Sequence, residues 1–200
     1  LLLSFGINTD WKFEEDFQKI KSVPIIAYDY STSFKLFLKK SLIAVLQYKP
    51  LKAIMFLYRY YKFRRFFSRK NKIIRKFVGL DWKDFNIPIS QVLERFRSDK
   101  VFIKMDIEGS EYRCLDELLS FQENITGIII EFHDVDLHLD RIQNFIANFD
   151  LNIAHIHANN SVSLTLEKLP MVLEITFSKY AKFEDDLPTL PNKLDSINNI

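Results

Sequence analysis

Residues 101–112 read VFIKMDIEGSEY, and this stretch decides the fold class. A strand-like apolar run carries Lys104 in its middle and then delivers two carboxylates, Asp106 and Glu108. Alternate side chains of a strand share a face, so we expect Lys104 and Asp106 on the same side of a sheet. An unpaired buried ammonium is costly, which predicts that Lys104 pairs with Asp106 or with Glu131 on the next strand.

The segments on either side of this stretch alternate between strand-like and helix-like patterns. The predicted strands are residues 1–7, 24–30, 72–80, 101–107, 127–133, 151–160 and 171–177, and the predicted helices are 10–20, 89–96, 110–121 and 139–149. Ser110 is the predicted N-cap of the third helix. Short strands joined by helices are typical of parallel β/α units. We therefore predict an α/β fold: a mostly parallel, Rossmann-like sheet with helices on both faces.

A basic and aromatic insert at residues 31–76 interrupts the alternation. Two helices are predicted here as an inserted helical cap, and the first carries an apolar stripe of Phe34, Phe37, Leu38, Leu42, Val45 and Leu46. We predict a single domain over residues 1–180 that includes this insert, followed by a loose extension over residues 181–200.

The charge of the chain is strongly asymmetric. Between Tyr30 and Leu80 there are 14 of the 28 Lys and Arg residues and none of the 26 Asp and Glu residues. Such a block favours an anionic partner, which could be a phosphorylated or lipid-linked glycan, an anionic membrane or a nucleic acid. No recognised nucleic-acid-binding module accompanies the block, so nucleic acid is the least favoured. The alternative is a solvated cap whose aromatic residues face the domain.

The single cysteine, Cys114, excludes an internal disulfide and a cysteine-rich zinc module. This favours a reducing, cytoplasmic setting, with peripheral contact at the inner membrane face through residues 31–76. No run approaches the roughly 20 apolar residues that a membrane span needs. The opening LLLSFG is too short for a signal peptide and is interpreted as a strand.

Polar residues follow almost every predicted strand. In open parallel sheets, ligands bind at the carboxyl ends of the strands, so these residues are the candidates for a site. They are Gly6, Asn8, Asp29, Asp106, Glu108, Gly109, Glu131, His133, His155, His157, Asn159 and Asn160.

The first strand-to-helix turn reads GINTDW and lacks the G-x-G-x-x-G fingerprint, which argues against NAD or FAD. Gly6 either lets a ligand approach the backbone or marks an ordinary tight turn. Asp29 is spaced to accept hydrogen bonds from a ribose. Together these features favour a nucleoside cofactor without a pyrophosphate.

Several segments resemble the FkbM-type S-adenosylmethionine-dependent methyltransferases: SFGINTDWKFEEDF, AYDYS, VFIKMDIEGSEYRCLDELL and GIIIEFHDVD, and later HIHANN and PMVLEITFSK. The hallmark Lys-x-Asp-x-Glu-Gly-x-Glu is matched by Lys104, Asp106, Glu108, Gly109 and Glu111. The resemblance covers about residues 1–30 and 75–180, and not the basic insert.

This resemblance implies a class I methyltransferase fold, S-adenosyl-L-methionine as cofactor, and methylation of hydroxyls on sugars or polyketide-like products. It places Gly6 in the cofactor loop, Asp29 on the cofactor ribose, and Asp106, Glu108 and Glu111 at the centre of the site. The predicted cofactor-binding residues are Gly6, Asn8, Asp29 and Asp106. The first motif departs from the family, because it holds one glycine where two or three are usual.

The predicted catalytic residues are Glu108, His133 and Asp106. Glu108 or His133 would accept the proton of an acceptor hydroxyl, while Asp106, steadied by Lys104, orients the methionine part of the cofactor. For Glu108 the alternative is charge complementation of a helix N-terminus. The predicted substrate-binding residues are Glu131, His155, His157 and Asn159.

The leading hypothesis is an O-methyltransferase acting on a sugar, glycan or related small-molecule acceptor. The chief alternative is a non-catalytic α/β module whose basic cap recognises an anionic glycan or membrane. A weaker one is a metal-dependent hydrolase that uses Glu131, His133, His155 and His157. Methyl transfer from a sulfonium needs no metal, so no metal ligand is predicted.

Overall fold

A computed structural model of the chain describes residues 1–79, 84–160, 164–165, 168–182 and 195. The strands are β1 Leu2–Phe5, β2 Ile25–Tyr28, β3 Lys72–Ile74, β4 Phe77–Val78, β5 Asn86–Ile87, β6 Val101–Met105, β7 Ile125–Phe132, β8 Asn152–Ala158 and β9 Leu173–Ser178. The α-helices are α1 Lys12–Ile20, α2 Phe34–Leu46, α3 Pro50–Phe66, α4 Ile89–Arg95, α5 Leu115–Ser120 and α6 Val135–Asn148. Short 3-10 helices span Glu111–Arg113 and Gln122–Asn124.

The main sheet has seven strands in the order β3-β2-β1-β6-β7-β9-β8. The first five are parallel to one another, while β9 runs antiparallel between β7 and β8. From β1 the chain builds outward to β2 and β3, and then returns to add β6 on the other side of β1. The strand order therefore reverses between β1 and β6, and this switch point is where such sheets bind ligands. The predicted mostly parallel, Rossmann-like sheet is confirmed.

Helices cover both faces of the sheet because the side chains of β6 alternate. Ile103 is fully buried in the large core cluster that contains Val92 of α4 and Leu118 of α5. The neighbouring Phe102 points the other way and its ring lies 4.9 Å from the ring of Phe17 in α1. Buried apolar side chains on one face and an aromatic contact on the other fix the central strand between two helical layers.

The predicted strand 72–80 is wrong as a single element. The chain turns after β3, where the Lys76 N–H donates to the Ile74 carbonyl (2.9 Å). The following β4 leaves the main sheet and pairs with β5 in a separate two-stranded parallel sheet.

The predicted helix 110–121 is also divided, into the 3-10 helix Glu111–Arg113 and α5. Ser110 is the N-cap residue of the 3-10 helix, but its side chain makes no capping bond, and the N-cap of α5 is Cys114. The Glu111 side chain instead accepts a hydrogen bond from the Ile107 N–H (2.9 Å), which closes the turn before the helix begins. The next helix, α6, begins four residues earlier than predicted.

The insert forms the two predicted helices, α2 and α3, which pack against each other as a hairpin. Its inner side reaches the domain through Phe37 and Phe63, which share a small core cluster with Trp11. Of the six residues in the apolar stripe of α2, only Phe37 is buried, so most of the stripe faces away from the domain. The helices meet through the small residues Ser41 and Ala44 instead, and this close contact turns the larger side chains of α2 outward.

None of the helices in the described ranges is long and apolar enough to cross a membrane. The predicted extension over residues 181–200 falls almost wholly outside the described residues, which include only 181, 182 and 195 of it. The predicted domain division stays a prediction.

Candidate active site

Lys104 ties together the two strand ends at the switch point. Its Nζ donates to the backbone carbonyl of Gly6 after β1 (2.6 Å) and to Asp106 Oδ2 after β6 (3.1 Å). A carboxylate partner for Lys104 was predicted, and of the two candidates, Asp106 and Glu131, the contact is with Asp106. One ammonium therefore fixes the position of a carboxylate and of a loop at once.

Gly6 is required by the approach of these two strand ends. Its φ is +78°, and a Cβ placed on it would lie 1.7 Å from the backbone oxygen of Asp106. Any side chain would force the two strands apart at this point. The structure thus gives Gly6 a packing role between protein segments, and its predicted approach to a cofactor stays a prediction.

Asp29, at the end of β2, is surrounded by donors. Its Oδ2 accepts hydrogen bonds from the N–H groups of Ile7 (2.9 Å) and Asn8 (2.6 Å). Its Oδ1 accepts from the Ser31 hydroxyl (2.7 Å) and the Thr32 N–H (3.0 Å). Burial acts to raise the pKa of Asp29, but these four bonds outweigh it and the pKa is lowered. Asp29 is therefore a carboxylate that organises both the β1–α1 loop and the loop after β2.

Two basic residues of the hairpin hold the β1–α1 loop from outside. Lys40 of α2 donates to Thr9 Oγ1 (2.8 Å), and burial followed by the charge of Arg59 lowers its pKa. Arg59 of α3 lies 3.7 Å from Asp10 Oδ2. These two contacts were not predicted from the sequence. The only sequence signal for them is that the acidic first turn of α1 and the basic insert are separated by a single strand, β2.

Glu111 and His133 form an ion pair behind Glu108, with Glu111 buried and His133 partly exposed. Glu111 is fully buried, and its Oε1 lies 3.2 Å from His133 Nδ1. This contact raises the pKa of His133 to about 9. The other imidazole nitrogen, Nε2, lies 3.5 Å from Glu108 Oε2, and the Glu108 side chain is 82% exposed. A protonated imidazole thus links a buried carboxylate to one that faces solvent at the end of β6.

Glu111 Oε2 is buried and accepts no hydrogen bond from any residue in the described ranges. The resemblance implied that Glu111 lines the site. The structure places its carboxylate beneath the site, where it supports the Ile107 backbone and His133.

The predicted substrate-binding residues lie on β7, on β8 and directly after β8. Glu131 on β7 and His157 on β8 both stand opposite Glu174 of β9, which lies between them. The Asn159 amide donates to Glu131 Oε1 (3.2 Å). Burial, and then the negative charge of Asp106, raise the pKa of Glu131. Glu131 therefore lies within electrostatic reach of the switch point, and Asn159 contacts it directly.

The two histidines of β8 converge on an aspartate. His155 Nε2 and His157 Nδ1 lie 3.1 Å and 3.2 Å from Asp195 Oδ1. Candidate ligand atoms of these three residues lie within 4.8 Å of one another, an arrangement that could hold a divalent metal. The predicted quartet with Glu131 and His133 is wrong as one site, because His133 is engaged by Glu111 instead.

Cys114 is a core residue, as expected, rather than a nucleophile. It is fully buried, and burial raises the pKa of its thiol to about 12. The thiol therefore stays neutral at physiological pH.

The family model described as Methyltransferase FkbM domain matches residues 86–185, which is half of the chain. The chain belongs to the FkbM methyltransferase family. The match contains the Lys104–Glu111 motif, His133 and both histidines of β8, whereas Gly6 and Asp29 precede it. The chain is therefore an S-adenosyl-L-methionine-dependent methyltransferase, which decides against the non-catalytic module and the hydrolase.

Solved structures with similar folds are distant. A candidate RNA methyltransferase from Pyrococcus horikoshii is 11% identical, with a TM-score of 0.46 over 88% of this chain and 73% of that one. Precorrin-6y C5,15-methyltransferase from Geobacter metallireducens is 15% identical, with a TM-score of 0.43 over 89% and 80%. An rRNA methylase from Streptococcus thermophilus is 6% identical, with a TM-score of 0.42 over 88% and 84%. A comparison with curated protein sequences gives no match.

The residues at the switch point fit the cofactor of the family. S-adenosyl-L-methionine carries ribose hydroxyls, an ammonium and a sulfonium, and carboxylates suit all three groups. Asp29 and Asp106 supply carboxylates at the ends of β2 and β6. A carboxylate has about four acceptor positions, and those of Asp29 are occupied. The Ser31 hydroxyl is the one donor among the four that side-chain rotation can remove, so a ribose hydroxyl can take its position.

Proposed function

We propose that this methyltransferase acts on a hydroxyl group of a sugar, glycan or related small-molecule acceptor. The observation that supports the proposal is Glu108, an exposed carboxylate two residues beyond Asp106 with an imidazolium 3.5 Å away. A hydroxyl must lose its proton as its oxygen is methylated, so O-methylation benefits from a base at this place. Glu108 supplies it.

Asp29 and Asp106 would hold the cofactor, the first through a ribose hydroxyl and the second through the ammonium group of the methionine part. When bound, S-adenosyl-L-methionine supplies the electrophilic methyl group. Lys104 limits the motion of Asp106 through its bonds to Asp106 and to the Gly6 carbonyl. Most of the rate enhancement then comes from positioning of the two reactants.

Glu108 is favoured over His133 as the proton acceptor. With a pKa of about 9, His133 is already protonated at pH 7 and has no lone pair to accept another proton. Its Nε2–H points toward Glu108 and would hold that carboxylate in place. His133 and Glu111 are therefore positioning residues, and the acceptor proton moves to Glu108.

The side chains beyond Glu108 support a polyhydroxylated acceptor. Glu131 and Asn159 offer adjacent acceptor and donor groups, and His155 and His157 extend this polar row along the sheet. Sugars carry donors and acceptors on neighbouring carbons, and a row of alternating polar groups satisfies both.

The test is methyl transfer from S-adenosyl-L-methionine to a panel of methyl glycosides, followed as S-adenosylhomocysteine formed. Glu108→Gln should lower turnover by roughly 100-fold, since general bases contribute 10²–10⁴. It should leave the affinity for S-adenosylhomocysteine, measured by titration calorimetry, unchanged. The matched control is Glu94→Gln, an exposed glutamate on α4 far from the strand ends.

Two results would overturn the proposal. Full turnover in Glu108→Gln would remove Glu108 as the base. Turnover with an RNA oligonucleotide or an amine, but with none of the glycosides, would remove the hydroxyl acceptor while leaving the methyltransferase intact.

A further inference from the structure

The hairpin of α2 and α3 exposes an apolar surface unlike the rest of the molecule. Of the 21 large apolar side chains that are exposed among the described residues, 13 lie within residues 34–61. The most exposed stand where α2 ends and α3 begins: Leu46 at 79%, Tyr48 at 94% and Leu51 at 82%. We call this region, residues 42–54, the hairpin tip. An exposed apolar patch of this kind marks an interaction site.

In these two helices the small residues lie at the helix–helix contact and most of the large apolar residues face solvent. Their mutual contact uses small residues: Ser41 and Ala44 of α2 are buried, and the Ser41 hydroxyl donates to the Ala53 carbonyl (3.0 Å). Leucines and isoleucines occupy the outer side, although such residues normally fill the core. Small residues between helices, with large apolar residues outside, are the arrangement of helices that face lipid.

The charge of the same surface indicates which partner covers it. The insert carries 14 Lys and Arg and no acidic residue, and Lys39, Lys49 and Lys52 are exposed around the tip. Long lysine side chains can lay their stems along an apolar surface while the ammonium stays in a polar layer. A cationic rim around apolar and tyrosine side chains matches the headgroup region of an anionic bilayer.

Other partners fit this surface less well. A second copy of the chain would bring two strongly basic surfaces together, which like-charge repulsion opposes. A nucleic acid would pair with the lysines, but its phosphates offer nothing to exposed leucines. Neither helix is long and apolar enough to span a bilayer, so the contact is with its surface.

We propose that the hairpin tip docks this enzyme on membranes that contain anionic phospholipid, with Leu46, Tyr48 and Leu51 entering the interfacial layer. The same hairpin contacts the β1–α1 loop through Lys40 and Arg59, so it connects the proposed bilayer contact to the loop that Asp29 organises. The proposal is independent of which acceptor the enzyme methylates.

The experiment is flotation of the purified full chain with vesicles of phosphatidylcholine alone or mixed with phosphatidylglycerol. Binding should require phosphatidylglycerol and weaken as salt is raised. The double substitution Leu46→Ser and Leu51→Ser should lower the partition coefficient by roughly 100-fold, since burial of each leucine contributes about tenfold or more. The matched control is Leu137→Ser, because Leu137 is as exposed but lies on α6.

Charge is tested separately from apolar contact. Lys49→Glu with Lys52→Glu should lower partitioning by roughly 25-fold or more, at about fivefold for each lysine removed near an anionic surface. Lys100→Glu with Lys179→Glu makes the same change of net charge away from the hairpin and should have little effect. Circular dichroism melting of every variant checks that each remains folded.

Three outcomes would overturn the proposal. The first is no flotation, or equal flotation with both kinds of vesicle at low salt. The second is a dimer in sedimentation that Leu46→Ser with Leu51→Ser dissolves while vesicles remain unbound, which would assign the tip to a second copy. The third is binding of an RNA homopolymer in place of vesicles.

Discussion

The switch point and the hairpin tip differ in where their polar and apolar side chains lie. At the switch point, charged side chains lie inside the protein, and Lys104 and Asp29 hold partners from two or more loops. At the tip, large apolar side chains lie outside, while a serine and alanines fill the space between helices. The first region is satisfied by its own chain, and the second is suited to a partner. The switch point is organised by hydrogen bonds within the chain, whereas the tip exposes apolar side chains that suit a partner.

The sharpest test of the switch point is Gly6→Ala, which should have the largest effect. The new Cβ would meet the Asp106 backbone oxygen at 1.7 Å, and backbone cannot move aside as a side chain can. We expect a loss of about 4 kcal/mol or more in the free energy of unfolding, or failure to fold. Gly109→Ala is the control, since its φ is +91° but a Cβ placed on it meets no atom of the described residues within 4 Å. It should cost about 1 kcal/mol in urea unfolding. Equal stability of the two variants would contradict this role of Gly6.

The two sides of the hairpin should respond differently to truncation. Phe37→Ala removes a fully buried ring from the contact with Phe63 and should cost about 3–4 kcal/mol. Leu46→Ala removes an exposed side chain from the same helix and should change stability by less than about 0.5 kcal/mol. Thermal unfolding of both variants measures the difference. A large loss in Leu46→Ala would mean that the tip contributes to the fold itself.

Lys104→Met tests whether one ammonium joins β1 to β6. The substitution leaves the Gly6 carbonyl and Asp106 without their shared donor, and we expect a loss of about 2–3 kcal/mol in urea unfolding. Affinity for S-adenosylhomocysteine should fall as well, because Asp106 is no longer held. Lys100→Met, at an exposed position just before the same strand, should change neither quantity. Unchanged affinity for S-adenosylhomocysteine in Lys104→Met would show that Lys104 is not needed for cofactor binding.

His133 should make stability depend on pH. Its pKa is raised from 6.5 to about 9 in the folded protein, so the imidazolium favours the folded state below pH 6.5. That contribution, on the order of 2 kcal/mol, should be lost as pH rises through 9. His133→Asn should flatten this part of the profile of unfolding free energy against pH. Glu111→Gln should flatten it too, because it removes the charge that raises the pKa. A slope that survives both substitutions would point to other groups.

Much of the fold follows from patterns a few residues long. Alternation in VFIKMDI predicts that Lys104 and Asp106 share a face of the sheet. Side chains two residues apart in a strand are neighbours on that face, so the two can pair. The division of 72–80 between two sheets could not be predicted in this way. Both halves are strand-like, and only the turn after Ile74 and the pairing of β4 with β5 separate them.

The partners of the site residues were harder to predict. His133 meets Glu111 and Asp29 meets Ile7 across 22 residues each, and these contacts depend on how loops close at the switch point. The pKa of His133 depends on its contact with Glu111. The prediction of a neutral histidine base could not include that contact, which instead keeps His133 protonated at pH 7. Helical spacing identified the apolar face of α2 without identifying what that face packs against.

The sequence by itself determined the order of strands and helices, the family motif at residues 104–111 and the basic character of the insert, because each is a property of neighbouring residues. Only the tertiary structure decided which groups meet at the switch point and which side of the hairpin faces outward. Those outcomes depend on distances between segments far apart in the chain. They also depend on single atoms, such as the Cβ that Gly6 lacks, which leaves room for the Asp106 backbone.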